Sequence, residues 1–382
     1  MATIQSYTKN NKKFYKFQIY IGTDPLTGKR LKTTRSGFCT KKQAQLALSR
    51  LQLEIERGDF GKKRTDTYQD VYDLWIEQYK NTVQESTFVK TTGIFKTHIL
   101  PAMSDYKVDK INVQVCQKHV NEWFNKLKKF RMVKAYASKI LDYAITLGVI
   151  TSNPMKLVTM PVNIEQPLEE DAEVNFYTRE ELKVFLECFE KESNFKAYTL
   201  FRLLAYSGMR KGEALALTWN NINFKDNEIR INTALSRGEN NRLYIKTTKR
   251  KSSIRTIKMD KKTMDILNDW KKKQKQDYLV LGYNTLKPKQ LVFNNERNEF
   301  LQPTKTRKWI LQVQKKYNLK QISTHKLRHT HCSLLFEAGA SLKEVQDRLG
   351  HSDVKTTMDI YTHVTKKAKD EAIQKFVKYM DF

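Results

Sequence analysis

Two breaks divide the 382-residue chain into three stretches that no single core can join. Gly58-Asp59-Phe60-Gly61-Lys62-Lys63-Arg64 has the glycine and charge content of a linker. Residues 165–173 form a second, with Pro167 and the acidic run Glu169-Glu170-Asp171. A chain of this length predicts two or three domains. The candidate modules are residues 1–60, 65–162 and 174–382, and the apolar pattern differs in each.

In the first module, Phe14, Phe17, Ile19 and Ile21 interleave with Tyr15, Lys16, Gln18 and Tyr20 as a strand. Asp24-Pro25-Leu26-Thr27-Gly28-Lys29 supplies a turn, and residues 30–34 suit a second strand. Over 41–57, Ala44, Leu48, Leu51 and Ile55 share one helical face. The simplest assembly is a small α+β module, a basic three-stranded sheet backed by one helix. Its Lys-, Arg- and Tyr-rich face either enters a DNA groove or is merely solvated.

The second module reads as all-α. Tyr68, Val71, Leu74 and Trp75 begin one helix, residues 113–127 form another around Val120, Trp123 and Phe124, and residues 136–147 form a third. Gly148 suits a C-cap there, and Asn153-Pro154 closes the bundle. The third module is mainly α. Thr178 and Glu181 have capping-box spacing at its start. Strand-like alternation over 228–233, 242–247 and 252–259 predicts one small antiparallel β-sheet with a basic tip, Lys249-Arg250-Lys251.

Charge narrows the partner. Seventy Lys and Arg against 41 Asp and Glu leave a net charge of +29, so the chain binds polyanions in a salt-sensitive way. The charges are spread along the whole chain with no dominant polybasic amphipathic helix, which favours nucleic acid over a membrane surface. Cys39, Cys116, Cys188 and Cys332 have no metal-ligand spacing and read as reduced, mostly buried thiols of a cytoplasmic protein. Met1-Ala2-Thr3-Ile4-Gln5-Ser6-Tyr7 carries no apolar signal region, and no stretch is long enough to span a bilayer. The expected location is the cytoplasm, beside its nucleic acid.

The third module also holds an ordered set of polar groups. Tyr206-Ser207-Gly208-Met209-Arg210-Lys211-Gly212-Glu213 comes first, then His325-Lys326-Leu327-Arg328, then Leu349-Gly350-His351 and Tyr361. Breaking a phosphodiester without a metal needs a nucleophile, donors that hold the non-bridging oxygens, and an acid for the leaving oxygen. Arginine suits the second role because its planar fork is always charged and binds phosphate bidentately. Each motif alone is ordinary: His-x-x-Arg is common, Tyr361 is one tyrosine among 18, and Gly208 can mark a helix boundary beside a surface arginine. The joint order is not ordinary.

That order resembles the tyrosine recombinases of the integrase family, in layout those of temperate phages and conjugative transposons of Gram-positive bacteria. Residues 206–213 match the family's first arginine box, and His325 to Arg328 its His-x-x-Arg box. Leu349-Gly350-His351 with Asp359-Ile360-Tyr361-Thr362-His363-Val364 matches its last box. Thr248-Lys249-Arg250-Lys251-Ser252-Ser253-Ile254-Arg255-Thr256-Ile257 resembles the hairpin that presents a lysine, with Lys246 as the alternative lysine. More loosely, Thr97-His98-Ile99-Leu100-Pro101 fits the family's core-binding domain, and residues 1–60 its arm-type DNA-binding domain.

The resemblance implies roles. Arg210 and Arg328 clamp the scissile phosphate, Glu213 supports the first arginine, and Lys249 protonates the departing 5′ oxygen. His325 assists proton transfer, His351 bonds a phosphate oxygen, and Tyr361 attacks to leave a 3′-phosphotyrosyl bond. No cofactor, ATP or metal is implied. The implied partners are double-stranded DNA at core and arm attachment sites, a homotetramer on two duplexes, a host DNA-bending protein and an excision factor. The segment from Ala368 to Phe382 packs on a neighbouring protomer or on its own domain. The favoured reading is a mobile-element integrase, a temperate phage's ahead of a conjugative transposon's. A chromosome-dimer-resolving recombinase, a type IB topoisomerase and a non-catalytic DNA-binding regulator are the rivals.

Overall fold

The computed structural model describes residues 3–9, 12–23, 28–56, 67–162, 176–247 and 254–350, with 357, 358 and 380. Strands β1 (Ile4–Lys9), β2 (Lys12–Thr23) and β3 (Arg30–Phe38) form an antiparallel sheet in that order, followed by helix α1 (Lys41–Glu56). Period-two alternation turns Phe17 and Ile19 of β2 to one side, where Ala44, Leu48 and Leu51 of α1 meet them. Burying Phe17, Ile19, Leu48 and Leu51 contributes about 1.5–3 kcal/mol each, and Ala44 less. So small a core is independent but thin.

The helical stretch runs α2 (Tyr68–Lys80), α3 (Glu85–Ile94), a π-turn over Phe95–Ile99, α4 (Leu100–Met103), α5 (Val113–Lys126) and α6 (Phe130–Thr146). Tyr68, Val71, Phe95, Ile99, Val120 and Ile140 are among the residues of its core. Two of its buried polar groups show how their partners are found. The Tyr68 hydroxyl donates to the Ala137 carbonyl at 3.0 Å, and the Asn153 amide donates to the Ser138 carbonyl at 2.9 Å. Gly148 closes α6 at φ 71°, as its C-cap position requires. Helix α6 begins six residues before the start expected from sequence. Phe130 and Val133 extend the buried stripe of Ala137, Ile140 and Ala144 back through a segment whose lysines and arginine resemble a loop.

The chain groups into two compact units, Met1–Gln78 with Ile94–Met160, and Tyr79–Gly93 with Pro161–Phe382. In the second, the Glu85 carboxylate accepts the Glu239 N–H at 3.0 Å and both of its oxygens accept from Arg242 Nη2 at 3.1 Å.

The remaining elements of the second unit are α7 (Arg179–Glu190), α8 (Phe195–Ser207), α9 (Lys211–Leu215), β4 (Ile222–Asn223), β5 (Glu228–Ile231), β6 (Thr233–Arg237), β7 (Leu243–Thr247), β8 (Arg255–Lys258), α10 (Lys261–Val280), α11 (Pro303–Lys316), α12 (Lys326–Glu337) and α13 (Leu342–Leu349). The capping box at Thr178 and Glu181 is present. Helix α8 is the hub: Ala197 through Ala205 is buried throughout, with α7, α10 and α12 packed around it. A helix apolar on every side belongs in an interior.

The one small sheet expected here is two. Strand β5 pairs with β4 and β8, while β7 pairs with β6, a strand the sequence pattern did not mark. The β6 positions are all half-buried or exposed, so they lack the alternation that would announce them. Cys116, Cys188 and Cys332 are buried and Cys39 is exposed. Among the described residues, no helix is long and apolar enough to cross a membrane.

Candidate active site

The site begins at a glycine that nothing else can replace. Helix α8 ends at Gly208 in the left-handed region, φ 64° and ψ 15°, with its N–H on the Leu204 carbonyl. A Cβ there would lie 2.5 Å from Leu349 Cδ2 and 2.6 Å from His331 Cδ2. Both the backbone angle and the close approach therefore demand glycine. The contact brings the end of α8 against α12 and α13, and Arg210 follows two residues later.

Arg210 is held by Glu213. Its backbone N–H and its Nη1 each donate to a different oxygen of that carboxylate, at 2.9 Å. Glu213 is buried, 3% exposed, and also accepts from Arg255 Nη2 at 3.0 Å. Burial alone would push the Glu213 carboxyl up in pKa. The hydrogen bond and charge of Arg255, with the Arg210 contacts, outweigh it and hold the group below the usual carboxylate value.

Arg328 lies on α12, 3% exposed, and its fork donates to two carbonyls, Gly208 at 2.7 Å and Leu349 at 2.8 Å. Burial and the nearby Arg210 charge pull its pKa down to about 9, which leaves it a cation at neutral pH. Arg210 Nη2 reaches the Gly350 carbonyl at 3.3 Å. Both guanidiniums thus converge on the chain just before His351. His325 occupies the N-cap position of α12, one residue ahead of the helix, and its carbonyl accepts the Arg328 N–H at 3.1 Å. Partial desolvation and the charges of Arg328 and Arg210 hold its imidazole below the ordinary histidine pKa.

Arg210, Glu213, His325 and Arg328 are therefore brought together. Lys249, His351 and Tyr361 lie outside the described residues. Lys246 sits on β7 opposite Ala234.

Three residues of the site carried no assigned role in the sequence. Arg255 on β8 joins Glu213 to the Arg348 carbonyl through its Nε at 2.8 Å. Arg348 donates to the Lys258 carbonyl at 3.0 Å, the Tyr206 carbonyl at 3.1 Å and His331 Nε2 at 3.0 Å. His331 accepts that bond, so its proton is on Nδ1, which donates to the Ala205 carbonyl at 2.8 Å. A usable signal existed only for Arg255. It shares the inward face of its strand with Ile257, where a charge needs a buried partner.

Neutral His331 makes a testable consequence. Burial first, then the Arg348 charge, lowers its pKa to about 3. The unfolded chain takes up this proton below about pH 6.5, the ordinary histidine value, while the folded protein resists it. Stability contributed here is complete above pH 6.5 and is lost progressively as the pH falls toward 3. Urea midpoints measured from pH 7 to pH 5 should decline, by at most about 1.4 kcal/mol per unit from this group. A His331→Gln protein should decline less steeply over that interval, and parallel curves would show that His331 is not the source.

Comparison with known proteins agrees along the whole chain. The family model described as the phage integrase family matches residues 175–368, just over half of the chain. Models for the phage integrase N-terminal SAM-like domain and for an arm DNA-binding domain match residues 67–124 and 3–55. A XerC-like tyrosine recombinase of Caldanaerobacter subterraneus is 29% identical over 98% of both chains. The prophage ps2 probable integrase of Lactococcus lactis is 28% identical over 95% of this chain and 96% of its own. The ICEBs1 integrase of Bacillus subtilis is 25% identical over 94% and 96%. Among solved structures, the Tn1549 transposon integrase in complex with transposon right end DNA aligns over 81% of this chain and 99% of its own, with TM-score 0.66 and 20% identity. A lambda integrase dimer bound to a core site aligns over 93% of both, with TM-score 0.55 and 16% identity.

Proposed function

Because this chain belongs to the phage integrase family of tyrosine recombinases, we propose that it integrates and excises a mobile element by cutting and rejoining duplex DNA at attachment sites. The observation that carries the reading is the convergence of two guanidinium forks, Arg210 and Arg328, on the backbone that leads into His351. Two fixed cations beside a neutral imidazole suit a phosphate that gains negative charge on its equatorial oxygens during attack. They do not suit a regulator, which needs affinity but no such preorganisation.

The chemistry balances without a redox partner. The Tyr361 phenol oxygen bonds to phosphorus as its proton passes to His325, which is held below the ordinary histidine pKa and so is a neutral acceptor at pH 7. The bond from phosphorus to the 5′ oxygen breaks, and Lys249 gives that oxygen a proton. His351 donates to a non-bridging oxygen alongside the two arginines. The 3′-phosphotyrosyl ester keeps the energy of the broken diester, so the 5′ hydroxyl of a partner strand can displace Tyr361 and restore the chain.

Recombination of two duplexes calls for four copies. The lambda integrase has been solved as a tetramer on a Holliday junction, and the same assembly is proposed here. The proposed domains are residues 1–60 for arm sites, 65–162 for core sites and 174–382 for catalysis. A host bending protein and an excision factor complete the proposed partners, in the bacterial cytoplasm. Relatives from a prophage and from ICEBs1 fit either kind of mobile element.

The direct test is a labelled core-site duplex carrying a nick, incubated with the protein in EDTA. The nick lets the cleaved fragment diffuse away, so the protein should accumulate as a covalent adduct at the 3′ phosphate. DNA that is bound but never joined to protein would move the reading to a regulator. A second expectation concerns the first module, whose core of Phe17, Ile19, Ala44, Leu48 and Leu51 is its own. Protein lacking residues 1–60 should form core-site adducts at near the parental rate while integrating a two-site substrate poorly. Unimpaired integration would refute the arm-site assignment.

A further inference from the structure

Beside the arginine site lies a cleft of about 490 Å³ whose walls include Arg210, Lys211, Arg307 and His325. Its floor is apolar, from Ile310 and Ile322, and among the described residues no carboxylate lines it. Lys211 follows Arg210 directly but serves a different wall. Arg210 turns to Glu213 and Gly350, whereas Lys211 Nζ points to the Pro303 carbonyl at 3.4 Å, at the start of α11. Arg307 stands one turn along that helix, near enough that its charge, after desolvation, lowers the Lys211 pKa.

Elsewhere in this unit Arg210 and Arg255 share the single carboxylate of Glu213, Arg202 pairs with Asp260, and the Arg328 fork is taken up by two backbone carbonyls. Among the described residues, neither Lys211 nor Arg307 has a carboxylate within ion-pair distance. Lys211 is half-buried and Arg307 is exposed beside it, so the two like charges repel, and an anion seated between them relieves that cost. The cleft opens on the wall that Arg210 and His325 also line, so the anion it takes is continuous with the one they take.

We propose that Lys211 and Arg307 hold the backbone phosphate next to the scissile one on the cleaved strand. The inference rests on the reading of Arg210 and Arg328 as the scissile-phosphate clamp. It adds a second seat, one nucleotide along, that fixes the strand's direction through the site. Lys211 and Arg307 are positioning residues: they touch DNA but not the reacting atoms.

Methylphosphonate substitution removes the charge of one chosen phosphate, which allows a direct coupling test. Duplexes are made with a single neutral linkage immediately 5′ or 3′ of the scissile phosphate, or at a remote position. Equilibrium binding and adduct formation are then measured for the parent, Lys211→Met and Arg307→Met. For the parent, one adjacent linkage should weaken binding about tenfold, as expected for a lost charged hydrogen bond. Lys211→Met should bind unmodified DNA about tenfold more weakly, with a salt dependence shallower by about one phosphate. It should then lose clearly less than the parent at that same linkage, because Arg307 alone still meets it, while Lys211→Arg keeps the full sensitivity.

Arg307 is exposed, so Arg307→Met tests the same coupling in a protein whose fold is not in question. Losses that simply multiply, for both variants and at both adjacent linkages, would overturn the proposal. Because binding alone scores the coupling, a parent that binds but forms no adduct would strike at the recombinase chemistry and leave this test readable.

Discussion

Tyr361→Phe protein is expected to bind core-site DNA within about twofold of the parent and to form no covalent adduct. The phenylalanine ring keeps the shape and most of the apolar surface of tyrosine and deletes only the attacking oxygen. Binding should persist because it comes mainly from Lys and Arg meeting phosphates across a chain of net charge +29. The chemical step has no substitute. Arg210, Arg328 and His325 can still polarise the phosphate, yet none of them supplies an oxygen nucleophile. In a group that acts as a unit, loss of the nucleophile costs on the order of a millionfold, which in a gel assay is loss of signal. Two outcomes would sink the assignment. Residual adduct would point to another tyrosine, and collapse of binding would mean that Tyr361 serves the fold or the interface instead.

Part of this candidate site was legible from the fixed order of its residues, although Lys249, His351 and Tyr361 lie outside the described residues. Arg210, His325 and Arg328 are singled out by that order together with the resemblance to the family's boxes, and the fold brings them together. The three-stranded sheet and its helix were legible for another reason, since Phe17 with Ile19, and Ala44 with Leu48 and Leu51, alternate at the two simple periods. What stayed hidden depends on distance in the fold. Gly208 looks like any glycine at a helix end until a Cβ is placed against His331 and Leu349. The bonds of His331 to Arg348 and of Arg255 to Glu213 span 17 and 42 positions, and no local pattern encodes such pairs. The pairing of β7 with β6 was missed because neither strand has a clean inward face.

Glu213→Gln is the substitution expected to damage the fold most for the fewest atoms changed. Glutamine has nearly the same shape, so the effect is one of charge. Arg255 would remain buried, its side chain 6% exposed, with no counter-charge. Removing one partner of a buried pair costs about 3–5 kcal/mol, a large part of the stability of a domain. The pH dependence identifies the source. The folded Glu213 carboxyl lies below its unfolded value of about 4.3, so its contribution is fully present above that pH and is lost as the pH falls through the folded value. Parent and variant should therefore differ in urea midpoint at pH 7 and converge only as the pH falls through the lowered folded value of Glu213. Equal midpoints at pH 7 would contradict the argument. The double variant Glu213→Gln with Arg255→Met separates fold from catalysis, because replacing both members of a buried pair by neutral groups of similar size is often harmless. It should regain most of the lost stability and still form adduct poorly, since Arg210 has then lost the carboxylate that holds its fork at 2.9 Å.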